Sequence, residues 1–213
     1  MDPILISEIN FFNRITDKVE VIFDVGAYSD SPYVQTGGEV HYFEPLPEYL
    51  EQLKQLPNSN NKSFFNAFGL SDENTSFDFW VSTYSFVERP HSTDDPIKCE
   101  LRRADEYCAS NNIKDIDFLK IDVECMETKV FRGFGDYLNN VKIIQFEYGP
   151  GQKEVGDNLD IMLSYLEPYG FTGFNYMFFE DNGGLTPISD RKDLWRWCNI
   201  VAYNKNHFNS EPW

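Results

Sequence analysis

Five runs of β-branched and aromatic residues read as strands, and chemically useful side chains gather at their tips. Residues 19–25 end in Asp24-Val25-Gly26-Ala27, and residues 39–44 end in Tyr42-Phe43-Glu44-Pro45. Residues 63–69 end in Asn66-Ala67-Phe68-Gly69. Residues 116–123 lead into Asp122-Val123-Glu124, and residues 141–147 into Glu147-Tyr148. Four of these five tips carry a carboxylate. One Asp at a strand end is an ordinary cap or turn former. Four on a single sheet edge repel one another unless a proton, a cation or a ligand compensates.

Two tips suggest what that ligand is. Gly26 leaves room for a ligand to approach the backbone. Glu44 follows Asp24 by 20 residues, the spacing of a carboxylate that grips a ribose diol. The turn reads Asp24-Val25-Gly26-Ala27-Tyr28-Ser29-Asp30-Ser31, without the G-x-G-x-x-G fingerprint, and the chain has no G-x-x-x-x-G-K-[ST]. Asp24 and Asp30 would repel a pyrophosphate. A nicotinamide dinucleotide is therefore the wrong class. S-adenosylmethionine fits, with its adenosine at Glu44 and its sulfonium and ammonium among the carboxylates.

The elements that must carry these tips alternate strand and helix almost throughout. Helices are expected over 3–16 (Leu5, Ile9 and Phe12 on one face), from Pro47 (Leu50, Leu53, Leu56), and over 103–111, 125–132 and 158–169. Residues 76–81 alternate as an edge or hairpin strand. The irregular stretch 82–98 is long enough to be a lid or binding loop. The order predicts one α/β domain over 1–213, doubly wound, with a mostly parallel sheet and helices on both faces. Strands at 171–179 and 198–204 are expected to pair as an antiparallel C-terminal hairpin at one edge.

Phe23-Asp-Val-Gly-Ala, Tyr42-Phe-Glu-Pro-Leu-Pro and Asp117-Phe-Leu-Lys-Ile-Asp-Val-Glu-Cys-Met-Glu-Thr-Lys-Val-Phe-Arg-Gly resemble the signature blocks of FkbM-type methyltransferases, in family order. Asn66-Ala-Phe-Gly-Leu-Ser-Asp stands between the second and third, and the resemblance spans about residues 19–148. It implies a Rossmann-like fold, S-adenosylmethionine as donor, and O-methylation, often of sugar hydroxyls. By position, Asp24 and Gly26 would face the donor's amino-acid end and Glu44 its ribose, with Ala27 and Tyr28 also among the donor contacts. Pro45 and Leu46 would border the adenine, with Ala67 and Phe68 opposite. Asp122, Glu124 and Glu147 would lie where the methyl group meets the acceptor. The sequence departs from the family's Gly-Ala-Asn-x-Gly turn at Tyr28 and Asp30, and from its Gly after Asp-Val-Glu at Cys125. The segment after the first strand is short, so the first helix there is expected to be reduced or missing.

Methyl transfer is an in-line displacement in which alignment does most of the work, helped by a general base for a sugar hydroxyl. The candidate bases are Asp122, Glu124 and His91; Asp122 could instead touch only the donor, and Glu124 could cap a helix. Tyr84, Arg89, Glu147 and Tyr148 are the candidate acceptor contacts. Tyr84, Phe86, Tyr148, Tyr176, Phe178, Trp195 and Trp197 read either as a sugar-stacking platform or as core. Magnesium on Asp122, Glu124 and Glu147 is a less favoured alternative, and no metal site is assigned.

The composition narrows the partners. With 18 Lys+Arg against 35 Asp+Glu, the formal charge is −17, which disfavours nucleic acid and anionic membrane. No window is apolar enough to span a bilayer, and the N-terminal residues lack a signal-peptide pattern. Cys99, Cys108, Cys125 and Cys198 contain no C-x-x-C and read as free thiols in a reducing cytoplasm. The expected acceptor is a carbohydrate or glycoconjugate. Alternatives are a non-sugar natural product as acceptor, or a non-catalytic nucleoside-binding module of a glycan-assembly complex.

Overall fold

A computed structural model describes residues 3–57, 62–79 and 96–213. The chain opens with α1 (Pro3–Phe12), β1 (Val21–Val25), β2 (Glu39–Phe43), α2 (Pro47–Lys54) and β3 (Lys62–Asn66). Three strands follow, β4 (Gly69–Ser71), β5 (Thr75–Phe79) and β6 (Ile97–Arg103), then α3 (Ala104–Ser110), β7 (Ile116–Ile121) and α4 (Glu127–Phe134). The last elements are β8 (Val141–Tyr148), α5 (Leu159–Leu166), β9 (Phe171–Met177), β10 (Thr186–Pro187) and β11 (Cys198–Asn204).

Eight strands form the main sheet in the order β10-β9-β11-β8-β7-β1-β2-β3. From β3 to β8 every pairing is parallel. The strand order reverses at β1, so the crevice lies at the carboxyl ends of β1 and β7. β9 and β11 pair antiparallel as expected. β11 lies between β8 and β9, and the two-residue β10 pairs antiparallel on the outer side of β9.

Alternation along the strands divides the core in two. Phe23, Val25, Leu119, Ile121, Ile144 and Phe146 face α3, α4 and α5. Ile22, Val40, Phe118, Ile143 and Val201 face α1 and α2. Helices thus cover both faces of a doubly wound, Rossmann-like sheet. Between β1 and β2 there is only a short 3-10 turn, Pro32–Gln35, so the helix expected to be reduced is absent there.

Three expectations need correction. Residues 63–69 are not one strand. β3 ends at Asn66, whose side chain donates to the Tyr42 carbonyl at 2.9 Å, and the chain then leaves for a second sheet, β4-β6-β5. That sheet includes β6, which the sequence reading did not foresee. The buried face of α1 is Ser7, Glu8, Phe11 and Phe12 rather than Leu5 and Ile9. Ser7 accepts from the Gly183 amide at 2.9 Å and Glu8 accepts from Gln145 at 2.8 Å, so polar partners set the helix's rotation.

Candidate active site

The register explains why the acids share an edge. Tyr42, Asp24, Lys120 and Gln145 are successive cross-strand neighbours on β2, β1, β7 and β8. They form one polar row across the face covered by α1, and Asp24, Lys120 and Gln145 are all buried. Two residues further along each chain segment stand Glu44, Gly26, Asp122 and Glu147. Strand side chains repeat with period two, so this second row lies on the same face, at the sheet edge.

Lys120 ties the rows together. Its ammonium donates to the Gly26 carbonyl at 3.2 Å and lies 3.6 Å from both Asp24 Oδ1 and Asp122 Oδ2. Burial disfavours its charge, but Asp24, Asp122, Glu8 and Glu147 outweigh that and raise its pKa. Asp24 is 0% exposed, and its other oxygen accepts from the Ser31 hydroxyl at 2.5 Å. Burial raises the Asp24 pKa against the opposing pull of Lys120 and Ser31. Asp24, expected to face the donor, is buried one row below the edge, with Lys120 between it and Asp122.

Gly26 also changes meaning. Its φ is +78°, and an added Cβ would lie 1.8 Å from the Asp122 carbonyl oxygen. Neighbouring backbone, rather than a ligand, fills the space of the missing side chain. The Gly26 and Ala27 amides both donate to the Phe43 carbonyl, at 3.0 and 3.2 Å. The turn is therefore fastened to β2.

Glu44 closes this corner. Its Oε2 accepts from the Tyr28 amide and its Oε1 from the Leu46 amide, each at 2.9 Å. Each oxygen keeps a lone pair for a further donor. Burial pushes its carboxyl up to about 7, against the two amide bonds that favour the charge. Tyr28 has φ +50°, is 45% exposed, and rests its ring 4.3 Å from that of Tyr49. Leu46 is buried at the start of α2 beside half-buried Pro45. Across the corner, Ala67 is exposed. Phe68 is buried beneath the Arg102 guanidinium, 4.1 Å from its ring centre.

The loop from β7 to α4 carries Asp122 and Glu124, both half-buried. Glu124 and Cys125 have φ of +56° and +73°, a left-handed pair that costs non-glycine residues roughly 1–2 kcal/mol each. Glu127 holds this loop: Oε1 accepts from the Val123 amide at 3.1 Å and Oε2 from the Gln152 side chain at 2.6 Å. Burial, with help from Asp122, lifts the Glu124 carboxyl to about 7. Burial and the nearby acids Asp122, Glu127 and Glu124 raise Glu147 well above the usual range. Two of the three departures, Tyr28 and Cys125, fall at left-handed positions, where Asn and Gly are less strained.

Tyr148 is removed from the acceptor contacts. It faces opposite to Glu147, is 1% exposed, and donates its hydroxyl to Asp193 at 2.7 Å. Tyr84, Phe86, Arg89 and His91 lie outside the described residues. The sequence reading missed Lys120, Glu8, Glu127 and Gln152; the signal for Lys120 was a lysine inside an otherwise apolar strand. Among the described residues no group of three His, Cys, Asp or Glu side chains is arranged to hold a metal ion. None of their helices is long and apolar enough to cross a membrane. A cavity of about 580 Å³ opens at the opposite sheet edge, beside Glu39, Asp117 and Lys142. There Asp117 is occupied structurally, accepting from the Glu20 and Val21 amides and pairing with Lys142.

The donor set at the carboxyl edge suits S-adenosylmethionine. Glu44 has free lone pairs for a diol, and the carboxylates around one lysine match a ligand with two cations and one anion. Fold and edge together define a nucleoside-binding methyltransferase architecture. The structure is similar to the plantazolicin methyltransferase BpumL in complex with SAH, with 10% identity, TM-score 0.51, and 95% of this chain and 84% of that chain covered. It is also similar to EvdMO1, with 10% identity, TM-score 0.50, and coverage of 94% and 40%. The Methyltransferase FkbM domain matches residues 24–172, and the chain belongs to this family of S-adenosylmethionine-dependent methyltransferases. Among characterised proteins it is similar to the 2-O-methyltransferase NoeI of Sinorhizobium fredii, 24% identical over 68% of this chain and 72% of that protein.

Proposed function

We propose that this methyltransferase acts on oxygen, at a carbohydrate hydroxyl. The observation that carries the reading is Glu124. It is half-buried on a strained loop beside Asp122, with its carboxyl lifted to about 7. A base with that pKa holds or accepts a proton readily near neutrality, which a hydroxyl nucleophile needs and a thiolate or a free amine needs less. The similarity to a 2-O-methyltransferase supports the same chemistry.

S-adenosylmethionine supplies the activated methyl group. Glu44 holds the ribose, with Pro45, Leu46, Ala67 and Phe68 bordering the base. Asp122, braced by Lys120, meets the donor's cationic end. Glu124 takes the hydroxyl proton, and Glu147, whose carboxyl is held well above its usual range by burial and the nearby acids, lies beside a neighbouring acceptor oxygen. The four cysteines are buried free thiols, which supports a reducing compartment, the cytoplasm. The test uses radiolabelled donor with a panel of saccharides, comparing wild type with Glu124→Gln. Loss of a general base lowers kcat about 10²- to 10⁴-fold while donor affinity stays at the wild-type value. Equal turnover by Glu124→Gln would remove Glu124 from the chemistry.

A further inference from the structure

One large aromatic side chain belongs to neither half of the core yet is seated with care. Trp197 directly precedes β11, and the backbone strip Gly149-Pro150-Gly151 directly follows β8. A Cβ on Gly149 would lie 2.2 Å from the indole Cε3 and 2.4 Å from Cδ2. Gly149 has φ −168° and ψ −176°, extended backbone that any residue adopts. Its lack of a side chain is explained by the ring and not by the conformation. The six-membered ring thus rests on the Gly149 α-carbon, while the residue stays 38% exposed.

Gly151 joins this indole to the reaction loop. The position of a Cβ there is 2.7 Å from Cys125 Sγ and 3.3 Å from the indole Cη2. Trp197 is therefore a neighbour of the loop that carries Asp122 and Glu124. Glu147 lies on the other flank, at the end of β8, paired in register with Asn199 of β11.

We infer that Trp197 is the stacking platform for a sugar ring of the acceptor; this deepens the carbohydrate reading given above and rests on it. The pyranose face, lined by C–H groups, lies on the indole, and its hydroxyls point to the carboxyls of Glu124 and Glu147. An aromatic face flanked by hydrogen-bonding acids suits a neutral polyol. The chain's charge of −17 disfavours a polyanion or an anionic lipid surface at the same place. Glycines at 149 and 151 hold the ring at a fixed height above the strip, so its loss is felt in acceptor binding and not in donor binding.

The experiment measures methylation by the full chain with radiolabelled S-adenosylmethionine. The acceptors are methyl glycosides and oligosaccharides of glucose, galactose, mannose and rhamnose, with catechol as a flat aryl acceptor. Trp197→Ala raises the KM for a methylated saccharide about tenfold, the size of one aromatic stacking contact, and leaves the donor Kd and the melting temperature near wild type. Trp197→Phe restores most of the affinity. Trp197→Leu keeps apolar bulk on the glycine strip, guards against a folding defect, and behaves as Trp197→Ala does. Wild-type KM in both the Ala and Leu variants overturns the platform and leaves the carbohydrate reading intact. Methylation of catechol alone, or of none of the saccharides by the wild type, overturns the carbohydrate reading and the platform with it.

Discussion

Replacing Lys120 by Met tests the double polar row directly. The lysine is the one cation within 3.6 Å of both Asp24 Oδ1 and Asp122 Oδ2 among the described residues. Met keeps an unbranched side chain only one atom shorter and removes its charge. Asp24 is 0% exposed and would be left with the Ser31 hydroxyl as its direct partner. Removing one partner of a buried ion pair costs about 3–5 kcal/mol. For a chain of this length that lowers Tm by roughly 6–20 °C. The remedy open to the variant is protonation of Asp24, whose pKa is already raised by burial and rises further without the lysine. A raised folded pKa means stability present at low pH and lost as pH rises through it. The deficit of Lys120→Met is therefore largest near pH 8 and shrinks toward pH 5. Adding Asp24→Asn, which removes the orphaned charge, recovers much of it at pH 8. Urea denaturation of wild type, single and double variants across pH 5–8 reads all three effects. A deficit under 1 kcal/mol, or one that does not change with pH, would refute the idea that Lys120 neutralises a buried row.

Other consequences of the site are open to measurement. Glu8, Glu44, Glu124 and Glu127 each have carboxyls raised to about 7 by burial, above the unfolded value. Their contribution to stability is present below pH 4.5 and is lost as pH rises through 7, so the ligand-free protein melts lower at pH 8 than at pH 5.5. A cationic donor favours the charged form of Glu44, so binding at pH 7 releases protons, seen by calorimetry in buffers of different ionisation enthalpy; proton uptake would contradict this. Glu44→Gln weakens donor binding by about tenfold to a hundredfold, the worth of a hydrogen bond to a charged acceptor, with little change in acceptor KM. Gly26→Ala, which would place a Cβ 1.8 Å from the Asp122 carbonyl oxygen at φ +78°, loses more than the roughly 1–2 kcal/mol of left-handed strain alone. An unchanged melting curve would mean that β1 and β7 do not approach as described.

The strands that carry the site were legible because their composition leaves little choice. Val21–Val25, Ile116–Ile121 and Val141–Tyr148 are apolar runs long enough for strands buried on both faces. The polar residues nearest their tips, Lys120 then Asp122 and Gln145 then Glu147, fall two apart and in register with Asp24 of β1 and Tyr42 of β2, so Asp122 and Glu147 share an edge with Glu44, two residues beyond Tyr42. Lys120 and Gln145 obey the same period, but reading tips alone passes over the row beneath. Glu8 was illegible for another reason. The apolar pattern of α1 favoured Leu5 and Ile9, and the helix is turned instead by polar partners more than 130 residues away. The insertion of β11 between β8 and β9 had no local signal either, because strand order depends on pairing across the chain. Glu127 was within view in the third signature block, but its role follows from the left-handed backbone at Glu124 and Cys125, which residue types Glu and Cys do not announce.

The place of β11 also sets an order of assembly. β8 can pair with β7 as soon as it is made, but its other edge faces a strand that begins 50 residues after β8 ends. Until Cys198–Asn204 arrives, an apolar edge of the half-sheet that carries the reaction chemistry stays open to pairing with other chains. The contact that closes it is non-local and forms slowly. On a ribosome, the nucleoside-binding half is thus shaped first and its edge is sealed last. The interval between the two is when this chain is most exposed to aggregation.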